Sequence, residues 1–275
     1  MTVVAQGGRL GRGAVASLVA VALISVIALV GMVYTPHDPA AVEIGKRLKA
    51  PTAEHPLGTD QFGRDILSRL MRGASIAMTV AGLSVAISVS VGVAIGALAG
   101  YVRGWLDEGA MRAMDGLLAF PALLLAITVV AALGPGHRNA AIAIGIVGIP
   151  VFARLTRSVV LVLASREFVT AVEAQGAGPA YVLGRHILPN AMGPVIVQAS
   201  LAVGRAIVAE ASLSYLGLGT QPPLPSWGKM LQEAQGYLSL APWMAVVPGV
   251  AVAVTVLAFN LLGDALRDLL DPRLR

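Results

Sequence analysis

Arg205 and Glu210 interrupt a stretch that is otherwise free of charge from about Pro194 to Ser212. A helix entering a bilayer at Pro194 carries Arg205 about 16 Å deep at a rise of about 1.5 Å per residue, close to the membrane centre. A charge at that depth costs about 2.5–3.5 kcal/mol or more unless it faces water or a partner. The two residues stand about 140° apart around an ideal helix, so they do not pair with each other. Arg205 is therefore expected to face a translocation cavity or an acid on a partner subunit, and Glu210 is assigned to the same pathway or interface. The competing reading is a shallower helix that leaves Arg205 at the outer interface.

Other chemistry-bearing residues are sparse. His37, His55, His137 and His186 are isolated in sequence, with no HExxH pattern and no partner at i,i+4. They are read as interfacial or solvent-facing, and no metal site is expected. The absence of cysteine excludes disulfides, thiolate catalysis and Cys-ligated zinc. Gly45-Lys46 and Gly228-Lys229 lack both the upstream glycine and the following Ser or Thr of a phosphate loop, so the chain is not expected to bind ATP by that means. Gly82-Leu-Ser-Val-Ala86 lacks the last glycine of a nucleophile elbow. No catalytic residue and no cofactor are expected.

A membrane-crossing frame must position these residues. The chain has 275 residues, 56% of them hydrophobic and only 13% charged, with a mean hydropathy of +0.78. A soluble domain carries about 25% charged residues. The net charge of +5 comes from arginines concentrated at the ends of apolar segments, which fits a membrane surface better than a nucleic acid. A span needs about 20 apolar residues. Six are expected, at 14–35, 76–102, 116–134, 139–162, 193–212 and 243–263, giving an all-α integral membrane protein. In the fourth, Arg154 and Arg157 are expected to snorkel to the interface. The first follows Arg9 and Arg12 like a signal peptide, but its apolar run is too long for a cleavable one and reads as a retained anchor. The distribution of arginine places both tails, 1–13 and 264–275, in the cytosol and residues 36–75 in an external loop.

Ser84, Ser88, Gly92, Gly96 and Gly100 recur every four residues on the second span. They share one face and allow a close helix contact, with Gly92 and Gly96 as candidates for the pathway or a subunit interface. Residues 63–72 are expected to form a separate amphipathic helix, capped by Thr59 or Asp60 and carrying an Asp65–Arg69 pair. The alternative is an extension of the second span. Between Leu213 and Trp243, Gly and Pro preclude a long helix and point to a folded re-entrant or surface element, with Trp227, Tyr237 and Trp243 at headgroup depth. The polar segment at about 165–190 carries Arg166, Glu167, Glu173 and Arg185 and breaks at Gly176 to Pro179. Its charge and helix-turn-helix pattern point to a cytosolic docking surface, and Gly176 suits a helix end before the proline.

Four stretches occur in order: Leu57-Gly-Thr-Asp60 with Gly63-Arg-Asp-Ile-Leu-Ser-Arg69; Gly176 ahead of Ile187-Leu-Pro189; Leu213-Ser-Tyr-Leu-Gly-Leu-Gly219 with Pro225-Ser-Trp-Gly228; and Asn260-Leu-Leu-Gly-Asp264 through Arg267-Asp268 to Asp271-Pro272. Together they resemble the inner-membrane permeases of bacterial binding-protein-dependent ABC importers, in particular the second permease of the dipeptide/oligopeptide/nickel group. The resemblance implies a type I ABC importer permease fold and a non-catalytic subunit in the cytoplasmic membrane. It implies transport of dipeptides or short oligopeptides, with nickel or a nickel chelate as runner-up. Its partners would be a homologous permease in a heterodimer, two cytosolic ATPase subunits and an external solute-binding protein. By spacing, it assigns ATPase coupling to Thr170, Ala171, Val172, Glu173, Gly176 and Ala177. The chain departs from the family pattern at Thr170, Glu173, Ser75 and Arg205. The rival reading, a gradient-driven transporter of six spans, would need broken helices with midplane acids and no docking element.

Overall fold

The computed structural model describes residues 12–270. Among them the helices are α1 (Arg12–Val33), α2 (Ile66–Val102), α3 (Gly104–Leu118), α4 (Ala122–Leu133), α5 (His137–Ala164), α6 (Glu167–Ala174), α7 (Pro179–Tyr181), α8 (Leu188–Tyr215), α9 (Trp227–Ala234) and α10 (Trp243–Leu270). A π-helical turn, Val182–Ile187, joins α7 to α8, so the chain is helical without a break from Pro179 to Tyr215. No β-strand forms among the described residues. A single isolated bridge joins Thr59 and Asp65.

Five of these helical stretches are long and apolar enough to cross a membrane: α1, α2, α5, the continuous α7–α8 rod and α10. The expected third span, 116–134, is not one straight helix. It is the second half of a bent pair, α3 and α4, that meets at 93°; counting the pair as one crossing gives six. Pro121 lies at the break in an extended conformation and cannot continue the helix before it. The upstream arm carries Asp107, Glu108, Arg112 and Asp115. Arg157 grips Asp107 with two bonds at 2.5 and 2.6 Å, and Arg154 pairs with Asp115. These arginines, expected to snorkel, instead hold α3 against α5.

The four-residue repeat is the seam between α2 and α5, which run parallel. Ser88 Oγ donates to the Gly145 carbonyl at 2.7 Å. A Cβ on Gly92 would stand 2.7 Å from the Ile149 carbonyl oxygen, one on Gly100 would stand 2.9 Å from that of Arg157, and one on Gly96 would strike Ala153. Only glycine permits this approach, and dispersion between the backbones holds the pair where lipid offers no hydrophobic drive. On the other side of α2, α1 runs antiparallel. Arg72 donates to the carbonyls of Gly31 and Met32, satisfying the free end of α1.

Residues 66–72 are the first two turns of α2 rather than a separate surface helix. The cap is Asp65, whose Oδ2 accepts from the Ser68 amide at 2.8 Å, and not Thr59 or Asp60. The face expected to meet solvent is buried: Ser68 is fully covered and Arg69 is 3% exposed. Asp65 and Arg69 do not pair. At the other terminus α10 runs on to Leu270, so the tail expected from 264 begins as helix. Of the N-terminal tail, residues 1–11 lie outside the described residues.

Candidate functional site

Three features could carry function, and the helices place them at different levels. Tyr101, near the end of α2, donates to Glu173 of α6 at 3.2 Å, so the segment expected to dock lies at the C-terminal end of α2. The start of α2 meets α9, where the Trp227 indole donates to the Leu70 carbonyl at 3.1 Å. A cavity lies between these two ends.

α6 is amphipathic, and its two faces do different work. Val169 is buried with Ala97, Val160, Val182 and Ile187, and Val172 and Ala177 pack at the edge of the same cluster. The opposite face presents Phe168, Thr170, Ala171 and Ala174 to the exterior. Of the six positions assigned to coupling, Thr170, Ala171, Glu173 and Gly176 are therefore exposed, while Val172 and Ala177 are half-buried. Gly176 follows the helix with φ +86°, a left-handed conformation that closes it. Phe168, 41% exposed, was missed by the sequence reading; a large apolar side chain on a short polar helix was the available signal.

The cavity has a volume of about 240 Å³ and lies among α2, the α3–α4 bend, α5 and α8. Ser84, Ser88, Phe120, Phe152 and Arg205 border it. Arg205 is exposed and makes no hydrogen bond or ion pair among the described residues. It stands about 15 Å from the Tyr215 end of α8 at helical rise, too deep for that end's interface. Glu210 does not reach the cavity. It is 1% exposed and accepts from Ser214 Oγ at 2.6 Å and Thr220 Oγ1 at 3.2 Å, all within this chain. Gly92 and Gly96 are likewise occupied by the α2–α5 seam.

The α9 end is closed by an ionic cap. Asp60 accepts from Arg64 Nε at 2.6 Å and from Arg69, while Glu233 on α9 accepts from Arg64 at 2.9 Å and Arg69 at 2.8 Å. Asp60 and Arg69 are buried, and each guanidinium spans two carboxylates. Trp227, expected at headgroup depth, is 3% exposed. Trp243 reaches the Thr59 carbonyl at 3.3 Å. The first and third sequence stretches thus fold onto each other. Beside the cap, Asp65 accepts from His55 Nδ1 at 3.0 Å, and the His37 and His55 rings lie 4.7 Å apart. These two histidines, expected to be isolated, are neighbours, because the loop folds them together across eighteen residues of sequence. Burial raises the Asp65 carboxyl pKa, but bonds from Ser68 and His55 outweigh it and hold the group below its usual range.

A bundle of membrane-crossing helices enclosing a cavity, with an exposed helix at one end, defines a multi-pass membrane transport component. The chain belongs to the family of binding-protein-dependent transport system inner membrane components, which matches residues 92–275. It is 43% identical over 262 residues to the dipeptide transport system permease protein DppC of Alkalihalophilus pseudofirmus, covering 95% of this chain and 86% of that one. It is 44% identical to the glutathione transport system permease protein GsiD of Pectobacterium atrosepticum, covering 95% and 87%. An inward-facing structure of the MetNI methionine ABC transporter shares the fold with a TM-score of 0.63 at 17% identity, covering 74% of this chain and 96% of that one.

Proposed function

We propose that this chain is one of two permease subunits of an ATP-driven importer that moves dipeptides or short oligopeptides into the bacterial cytoplasm. The observation that carries the reading is the exposed face of α6 followed by an unbroken helix from Pro179 to Tyr215 that borders the cavity. Such a helix can receive work at one end and deliver it to the path. The relatives named for dipeptide and glutathione transport support a peptide substrate, and nothing in this chain favours nickel over it.

A cavity of about 240 Å³ is smaller than the 300–1,000 Å³ of a typical small-molecule site. A homologous permease facing it completes the passage, one of two cytosolic ATPase subunits docks on α6, and an external solute-binding protein delivers substrate at the α9 end. Both chain ends then lie in the cytosol. Deletion of this gene should abolish uptake of a labelled dipeptide, with restoration by the wild-type chain. Undiminished dipeptide uptake alongside lost nickel uptake would reverse the substrate assignment. A topology reporter at Gln175 that signals the far side of the membrane would overturn the docking assignment.

A further inference from the structure

We propose that His37, Glu54 and His55 form a binding site for a divalent transition cation, with zinc as the best fit, on the loop before α2. One nitrogen of each histidine and a carboxylate oxygen of Glu54 lie within 4.8 Å of one another. Donors around a tetrahedral zinc, at about 2.0–2.1 Å from the ion, stand roughly 3.3–3.5 Å apart. A contraction of up to about 1.5 Å therefore closes the set. Glu54, with its side chain 61% exposed, is free to supply most of it.

The orientation of His55 is the stronger argument. Its side chain is 4% exposed, and Nδ1 lies 3.0 Å from the Asp65 carboxyl group, which also accepts from Ser68. Donation from Nδ1 leaves a lone pair on Nε2, which is buried without a hydrogen-bond partner and lies 3.9 Å from Glu54. A carboxylate that fixes a histidine tautomer so that the far nitrogen meets a metal is a recurrent supporting arrangement at zinc sites. His37 Nδ1 is likewise buried with no hydrogen bond, 3.7 Å from the other Asp65 oxygen. The backbone fixes both rings: His37 N–H donates to Ser68 Oγ at 2.9 Å, and the His55 carbonyl accepts from Thr52 and Gly58.

Two imidazoles and a carboxylate leave a fourth position for water, and imidazole selects zinc and its neighbours over magnesium or calcium. Lys46 now bridges Glu43 and Glu54 at 2.8 Å each, so turning Glu54 to the metal leaves Lys46 its Glu43 partner. A bound ion would tie the segment after α1, the turn around His55 and the cap of α2 into one unit. This inference concerns the loop alone and stands whatever the transporter carries.

The test uses the assembled transporter, purified on a tag without histidine, stripped with chelator and equilibrated with zinc chloride. Metal analysis should find one zinc more per complex in wild type than in His37→Ala or Glu54→Gln. Titration should show at least tenfold weaker zinc binding in each variant. Both side chains are partly exposed, so the variants should match wild type in assembly and in metal-free melting temperature. Zinc should raise the melting temperature of wild type only. Cobalt(II) in place of zinc should give a tetrahedral visible spectrum that both variants lose. Equal zinc content and equal affinity in wild type and variants would overturn the site.

Discussion

Arg69 Nη2, in the first turn of α2, donates to Glu233 Oε2 of α9 at 2.8 Å across 164 residues of sequence. Asp60 takes the other side of the same guanidinium. The loop before α2, α2 itself and α9 are thereby joined at one charged centre. Removing one member of such a buried set strands the others. Arg69→Ala is expected to cost about 3–5 kcal/mol. Thermal unfolding in detergent measures it, and Arg69→Lys, which keeps the charge but loses the fork, should recover only part.

The α2–α5 seam predicts a steep dependence on side-chain size. Gly96→Leu must push Ala153 and Thr156 away. Overpacking of this kind costs about 1–3 kcal/mol or more. Gly82, with open space around its Cβ, should accept the same change with little loss. Folded yield of the two variants checks the contrast.

On α6 the two faces should separate folding from coupling. Ala171→Cys is exposed and should crosslink to a co-expressed ATPase subunit, whereas Val169→Asp should disrupt the cluster beneath the helix and lower yield. Phe168→Ala should leave the permease folded but reduce ATP-coupled transport about tenfold, the loss of one anchoring side chain. An assembled complex that gives no crosslink at Ala171 would remove the docking assignment.

Much of this plan was legible from residue order. Apolar length marked α1, α2, α5, α8 and α10, because the bilayer imposes a minimum that periodicity and charge reveal directly. The break at Pro121 was readable in principle, but an uncharged run through 116–134 concealed the 93° turn. What sequence could not supply was long-range pairing. Ser68 and Arg69 looked like a wet face until Glu233 arrived from α9 to satisfy the guanidinium. His37 and His55 looked isolated because local spacing says nothing about how a loop returns on itself.

Arg205 and Glu210 should behave oppositely despite their proximity. Arg205→Ala should leave assembly intact and lower transport at least tenfold, since the side chain borders the cavity without a partner. Glu210 accepts both its bonds on Oε1, while Oε2 has no partner. Glu210→Gln keeps that acceptor in a side chain of nearly the same shape, so stability should hold. Glu210→Ala should cost about 1–3 kcal/mol by leaving Ser214 and Thr220 unmatched. Melting temperature and initial uptake rate, measured side by side, distinguish the two.

The rod from Pro179 to Tyr215 stays helical through the π-helical turn and through Gly193-Pro194. Arg205 lies about 39 Å along it from Pro179 at helical rise. Each degree of tilt about the Pro179 end thus swings Arg205 sideways by about 0.7 Å, from that length alone. A few degrees suffice to shift the wall of the cavity by the width of a water molecule, so under the proposed docking at α6 the gearing is set by how far the cavity stands from that mount.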